Sequence, residues 1–183
     1  MGRRGAGVIF RELELPGAFT IDLEPRQDER GFFARAFCQH EFAAQGLKTE
    51  MVQANLSQNV SRGTLRGMHF QRAPFAEVKV VRCVHGAIYD VIIDIRPESP
   101  TFRKWVGLEL TRANRRALYV PEGFAHGYQA LEDDTEVMYL VTQFYTPGHE
   151  SAIRWNDPQF GVRWPISNPI LSPKDAIHPD YTP

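Results

Sequence analysis

Thr64-Leu65-Arg66-Gly67-Met68-His69-Phe70-Gln71, with Lys79 ten residues after His69, is the stretch on which fold and chemistry both turn. Read as a strand it alternates its faces. Leu65, Gly67, His69 and Gln71 point one way; Thr64, Arg66, Met68 and Phe70 point the other. On that reading a candidate base, His69, and two strand-borne cations, Arg66 and Lys79, sit close together on neighbouring strands. Such a grouping suits removal of an acidic carbon-bound proton from an anionic substrate.

Outward from this stretch the chain is a train of short strands. They are expected at 51–57, 64–71, 78–84, 87–95, 104–110, 116–120, 125–131 and 136–144, with earlier ones at 18–23 and 32–37. Polar or glycine-bearing turns divide them, among them Gln27-Asp28-Glu29-Arg30-Gly31, Ser61-Arg62-Gly63 and His85-Gly86. Only residues 40–45, closed by Gly46, read as a helix. This spacing, almost without helical periodicity, predicts an all-β sandwich or barrel. The thirteen prolines fall mostly between the runs, where edge and turn residues belong. From about residue 156 the chain is proline-rich and aromatic, and is expected to wrap the barrel mouth as an extended or partly helical segment.

A length of 183 residues fits a single domain over 1–183 with a core that needs no disulfide or metal. A net charge of -1 gives no general pull toward nucleic acid or an acidic membrane, so anion binding must come from a local cluster of cations. Cys38 and Cys83 are too few for a disulfide framework and fit a reducing cytosol. Met1-Gly2-Arg3-Arg4 is basic, but Arg11, Glu12 and Glu14 follow too soon for a signal peptide. Apolar runs such as Val91-Ile92-Ile93 are far short of a membrane span. A cytoplasmic protein is expected.

Pro121-Glu122-Gly123-Phe124-Ala125-His126-Gly127 has the Pro-x-Gly-x-x-His shape that recurs in cupin barrels. Metal-binding cupins add a His-x-His pair and a glutamate; Met68-His69-Phe70 supplies one histidine, so a three-ligand catalytic metal is not expected. A lone histidine is usually a satisfied core group. Burying His69 beside Arg66 and Lys79 with no ligand to meet them would be costly, which favours a site.

Further segments occur in a constant order: Asp28-Glu29-Arg30-Gly31-Phe32-Phe33, Gln53-Ala54-Asn55-Leu56-Ser57, Lys79-Val80-Val81-Arg82, Asp90-Val91-Ile92-Ile93-Asp94-Ile95-Arg96, Ser99-Pro100-Thr101-Phe102, Trp155-Asn156-Asp157-Pro158 and Leu171-Ser172-Pro173-Lys174-Asp175. With the two motifs above they cover residues 18–175 and resemble the dTDP-4-dehydrorhamnose 3,5-epimerase family, metal-free cupins of nucleotide-sugar metabolism. The resemblance implies a jelly-roll cupin barrel with short peripheral helices, dimeric through its N-terminal strands, with no cofactor and no metal. It implies inversion of C3, C5 or both in a nucleoside-diphosphate 4-keto-6-deoxyhexose, with dTDP-4-dehydro-6-deoxy-D-glucose to dTDP-4-dehydro-L-rhamnose as the leading case. A 4-keto group acidifies both carbons because each carbanion delocalises onto the carbonyl oxygen.

By the same resemblance His69 is the base, held by Asp175, Tyr139 the proton donor from the opposite sugar face, and Lys79 the cation beside the enolate oxygen. Arg66 and Lys174 would neutralise the diphosphate, with Arg30 contributed by the neighbouring subunit. Gln53, Asn55 and Glu150 would hydrogen-bond nucleotide or sugar, His126 would line the sugar site, and Tyr145 would stack on the base. The chain departs from the family pattern at Arg35, where a glutamate is usual, and in the loop 72–77. These departures keep open a single-centre 3- or 5-epimerase of a related sugar; a non-catalytic cupin that binds a nucleotide sugar is a separate alternative, against which retention of Tyr139 and Lys79 argues. A metal-dependent cupin dioxygenase ranks behind both.

Overall fold

The computed structural model describes residues 7–182; the basic start at Met1-Gly2-Arg3-Arg4 lies outside them. In chain order the elements are β1 (Val8–Glu12), β2 (Phe19–Leu23), β3 (Arg26–Asp28), β4 (Gly31–Phe33), α1 (Gln39–Ala44), β5 (Gln53–Asn59), β6 (Leu65–Gln71), β7 (Lys79–His85), β8 (Ala87–Asp94), β9 (Trp105–Thr111), β10 (Ala117–Val120), β11 (Phe124–Ala130), β12 (Thr135–Val141), β13 (Glu150–Ala152) and α2 (Pro173–Ala176). One antiparallel sheet has the order β1-β2-β10-β7-β12-β5, a second β13-β6-β11-β8-β9, and β3 pairs only with β4 among the described strands. The architecture is the expected all-β sandwich of cupin type. No described helix is long and apolar enough to cross a membrane.

The chain steps from sheet to sheet as it goes: β5 lies in the first, β6 in the second, β7 in the first and β8 in the second. This corrects one expectation. His69 on β6 and Lys79 on β7 are not on neighbouring strands but on opposed sheets. What brings them together is the space between the layers.

Three apolar clusters hold the layers in place. Between the sheets Val81, Cys83, Ile88, Ile92, Leu118 and Val137 interdigitate, all essentially inaccessible. A fully buried Ile or Leu contributes roughly 1.5–3 kcal/mol, so this cluster is a main stabilising term. Behind the second sheet Met68, Val91 and Ile93 meet Ile153, Phe160 and Trp164 from the C-terminal segment. Behind the first sheet Ile21, Val80 and Ala117 meet Phe42 of α1. Because β8 is covered on both faces, its sequence Ala-Ile-Tyr-Asp-Val-Ile-Ile-Asp shows an apolar run instead of a clean alternation.

Two local expectations need correction. Residues 32–37 do not form one strand: the strand ends at Phe33, because Phe37 turns inward to contact Phe42 at 4.7 Å between ring centroids. The edge strands β1 and β13 were not anticipated; both are short and only partly buried, which leaves little hydrophobic pattern to read.

Asp94, wholly buried at the end of β8, fixes the turn that leads into β9. Its carboxylate accepts hydrogen bonds from Arg96 Nε (2.9 Å), Ser99 Oγ (2.5 Å) and Thr101 Oγ1 (2.7 Å). Arg96 in turn lies over the Phe124 ring at 4.5 Å. Burial alone would raise the Asp94 pKa, but these bonds outweigh it and hold it at about 2, against an ordinary 3.8. A depressed folded-state pKa stabilises above the ordinary value, and that stability is lost as pH falls toward the folded value. Ionised Asp94 therefore contributes about 2 kcal/mol at neutral pH. Chemical denaturation of wild type and Asp94→Asn should show a stability gap that is constant near neutrality and closes between pH 3.8 and about 2. A gap independent of pH would remove Asp94 from that role.

Candidate active site

The site begins with a bulge. On β11, His126 is opposite His69 and Tyr128 is opposite Arg66, so Gly67 and Met68 together face the single residue Gly127. The extra residue breaks the simple alternation: Arg66 and His69, expected on opposite faces, both line the cleft between the sheets, while Met68 packs behind. Two glycines permit this. A Cβ on Gly67 would come within 2.5 Å of Gly127 Cα, and one on Gly127 within 2.8 Å of Arg66 O. Gly67 also has φ +139°, which side chains rarely adopt.

The opposing sheet supplies its side chains by strict register. Gln53 on β5, Val141 on β12 and Lys79 on β7 form one row; Asn55, Tyr139 and Val81 form the next. Residues two apart on a strand share a face, so Gln53, Asn55, Tyr139 and Lys79 all project inward. The resulting cleft has a volume of about 600 Å³, and ten of the twelve residues singled out in the sequence line it. Its floor opens into a smaller chamber of about 190 Å³ bounded by Arg66, His69, Lys79, His126, Tyr128 and Tyr139.

His69 and Asp175 are joined across 106 positions by a 2.6 Å hydrogen bond from Nε2 to Oδ1. Burial raises the Asp175 carboxyl, yet the hydrogen bonds from His69 and Ser172 more than offset that and leave it below its ordinary value. Asp175 is thus an acceptor only, the proton of the pair sits on Nε2, and Nδ1 carries the imidazole's free lone pair. The short helix α2 aims the carboxylate. Ser172 caps it, accepting from Asp175 N (3.0 Å) while its own hydroxyl donates to Asp175 Oδ2 (2.9 Å), with Pro173 in the first turn. A second imidazole on the cleft wall joins this group: His178 Nε2 is 3.3 Å from Asp175 Oδ1.

His126 forms a similar pair with the fully buried Asp90, 2.6 Å from Nε2 to Oδ1. Arg66 is anchored by neutral acceptors, Asn59 Oδ1 (2.8 Å) and Gln58 O (3.1 Å), which leaves its charge for an anion. Lys79 pairs with Glu77, two residues earlier on the same face. Burial pushes the Tyr139 phenol above its ordinary value, with Tyr128 and Glu77 adding to the shift. At the rim Lys174 donates to Glu150 (2.8 Å), and Tyr145 OH donates to the other Glu150 oxygen (2.8 Å). The Tyr145 backbone N–H donates to Gln53 Oε1 at 2.8 Å.

Arg30 is the one predicted residue outside these spaces. It lies in the β3–β4 hairpin, 84% exposed, paired with Asp28 at 2.5 Å. Arg35, the charge reversal, is balanced locally by Glu41 at 2.9 Å. Residues at or around the site that escaped the sequence reading include Asn59, Glu77, Asp90, Tyr128, Ser172 and His178. Two of them had a signal. Glu77-Val78-Lys79 has the i, i+2 spacing that puts two charges on one face, and Ser172-Pro173-Lys174-Asp175 is a helix-start pattern.

The profile described as dTDP-4-dehydrorhamnose 3,5-epimerase matches residues 12–182. The chain belongs to that family. Among curated relatives, the dTDP-4-dehydrorhamnose 3,5-epimerase of Salmonella typhimurium is 47% identical over 174 residues, 94% of each chain. The crystal structure of the Bacillus anthracis enzyme of that name, with TDP and PPi bound, superposes with a TM-score of 0.93 at 40% identity, covering 96% of this chain and 100% of that one. The Legionella pneumophila enzyme in complex with dTDP-4-keto-L-rhamnose gives 0.89 at 35% identity, covering 95% and 93%. Within the epimerase family frame, the bulge is the feature most open to test. Gly127→Ala should lower the melting temperature and abolish activity together, because the Cβ meets backbone on β6 that cannot yield. A variant with wild-type melting and turnover would show that the close approach is not needed.

Proposed function

We propose that this chain is an epimerase that inverts C3 and C5 of dTDP-4-dehydro-6-deoxy-D-glucose to give dTDP-4-dehydro-L-rhamnose, through enolates stabilised at O4. One observation carries the reading: the imidazole comes from one sheet and the phenol and ammonium from the other, all three bounding one chamber. A sugar ring lying between the layers meets a base on one face and an acid on the other, which inversion requires.

In this mechanism Nδ1 of His69 takes the carbon-bound proton, and Asp175 stabilises the imidazolium formed. Lys79 meets the negative charge that grows on the C4 oxygen. Tyr139, kept protonated by its burial, returns a proton from the far side. Arg66 and Lys174 serve the diphosphate, and Tyr145, 59% exposed at the rim, offers a flat face to the base. Gln53, Asn55 and Glu150 hydrogen-bond nucleotide or sugar, and His126, oriented by Asp90, lines the sugar pocket.

We further propose that residues 1–183 act as one domain and that two copies associate through the N-terminal strands. Supporting this are the β3–β4 hairpin, which exposes Phe32 (49%) and Phe33 (70%), and the position of Arg30 outside the chain's own cleft. Arg30 would then complete a partner's site. The two free cysteines accord with a cytoplasmic setting.

Proton NMR of the reaction in D2O is the direct test: deuterium should enter at both C3 and C5. Incorporation at one carbon would make this a single-centre enzyme, and none at all would leave only a binding protein. His69→Ala should cut turnover by about 10²–10⁴-fold with folding intact. An unchanged rate would take His69 out of the mechanism. Tyr139→Phe should spare exchange at the first carbon more than epimerisation; equal loss of both would mean that another group is the donor.

A further inference from the structure

Three metal-ligating side chains converge on the wall of the cleft at the base. A ring nitrogen of His69, a carboxylate oxygen of Asp175 and a ring nitrogen of His178 all lie within 4.8 Å of one another. They come from separate places in the chain: His69 from β6, Asp175 from α2, His178 from the segment just after it. Two of the separations are 2.6 Å (His69 Nε2 to Asp175 Oδ1) and 3.3 Å (His178 Nε2 to the same oxygen). His178 is 12% exposed, and its Nε2 is buried with no hydrogen-bond partner among the described residues. It points at Asp175 without the alignment that a hydrogen bond needs. The rings of His69 and His178 stand edge to face, 5.8 Å between centroids. Nothing in the epimerisation chemistry uses His178.

Two imidazoles and a carboxylate are a donor set for a borderline divalent ion. With metal–ligand bonds of about 2.0–2.1 Å, tetrahedral donors stand about 3.3 Å apart. The His178–Asp175 separation already has that value, the His69–Asp175 contact must lengthen, and the two imidazoles stand within 4.8 Å of each other. His69 is 44% exposed, so water from the cleft can reach the fourth position.

We propose that His69, Asp175 and His178 form a binding site for a divalent transition-metal ion, represented here by zinc, and that its occupation switches the base off. This rests on the epimerase reading. The ion would take the lone pair of His69 Nε2, and the proton now on Nε2 moves to Nδ1, with no net release. Nδ1 is the nitrogen left for the sugar, and once protonated it cannot accept the carbon-bound proton. Nε2 and Nδ1 lie on opposite edges of the imidazole, so an ion on Nε2 leaves the Nδ1 edge to the sugar. The ion blocks turnover without displacing the nucleotide sugar.

Isothermal titration calorimetry of the purified, chelator-treated chain with zinc chloride reads the site without any activity. A single zinc should bind wild type, and His178→Gln, which keeps a polar side chain of similar length, should weaken binding on the order of tenfold or more. His178→Ala serves as the second variant, and circular dichroism melting of both checks the fold. No zinc binding, or equal binding by wild type and both folded variants, overturns the site. In the second arm, turnover is followed at buffered free zinc. Zinc should lower kcat at constant KM in wild type, reversibly with EDTA, and His178→Gln should need correspondingly more zinc. A rise in KM at constant kcat would overturn the tautomer switch, since it would place the ion in the sugar's own space. A chain that binds zinc as described but has no epimerase activity would count against the enzyme assignment and not against the metal site.

Discussion

Two backbones in contact make the rest of the site possible. Where β6 passes β11, Gly67 and Gly127 lie so close that neither can carry a Cβ. That approach accommodates one extra residue in β6, and the extra residue turns Arg66 and His69 to the same side. Without it, one of the two would be driven into the apolar layer of Met68, Ile153 and Phe160 behind the sheet. A polar cleft at one end of the sandwich and an aliphatic core at the other are consequences of a single local irregularity.

Charge inside the cleft is arranged in pairs. Lys79 faces Glu77, Lys174 faces Glu150, and His69 faces Asp175. Lys79 and Glu77 are only 12% and 11% exposed, and burying either alone would cost several kcal/mol. Pairing also explains how a chain of net charge -1 can present cations to a diphosphate. On the proposed reading the diphosphate would not meet a general positive field; it would compete with Glu150 for Lys174 and find Arg66 held only by neutral oxygens.

Much of this was legible before any coordinates. Short strands at regular spacing predicted an all-β sandwich; Gln53, Asn55, Lys79 and Tyr139 were brought to one site by the resemblance, and the register of β5, β7 and β12 puts them on one face. The pairing of His69 with Asp175 came from the resemblance and from nothing in the residues, since 106 positions separate them. What stayed hidden was long-range or irregular. The bulge inverts half of β6 relative to simple alternation, and no local pattern announces it beyond the two glycines. Consecutive strands β6 and β7 fell into different sheets, which a list of strands cannot reveal. Asp90 sits within an apolar run and looks like an interruption, although its carboxylate orients His126. Edge strands β1 and β13 bury too little to leave a signature.

The opposed-sheet arrangement gives the aliphatic core a second office. Facing sheets are held about 10 Å apart by the side chains between them. Here that spacer includes Ile88, Ile92, Leu118 and Val137, in the cluster against which Tyr139 packs. The same spacing governs how far apart the imidazole and the phenol stand. These hydrocarbons therefore act as a caliper, and trimming one would be felt as a changed reach across a ring that it never touches. The stereochemical outcome is set partly by residues with no chemistry of their own.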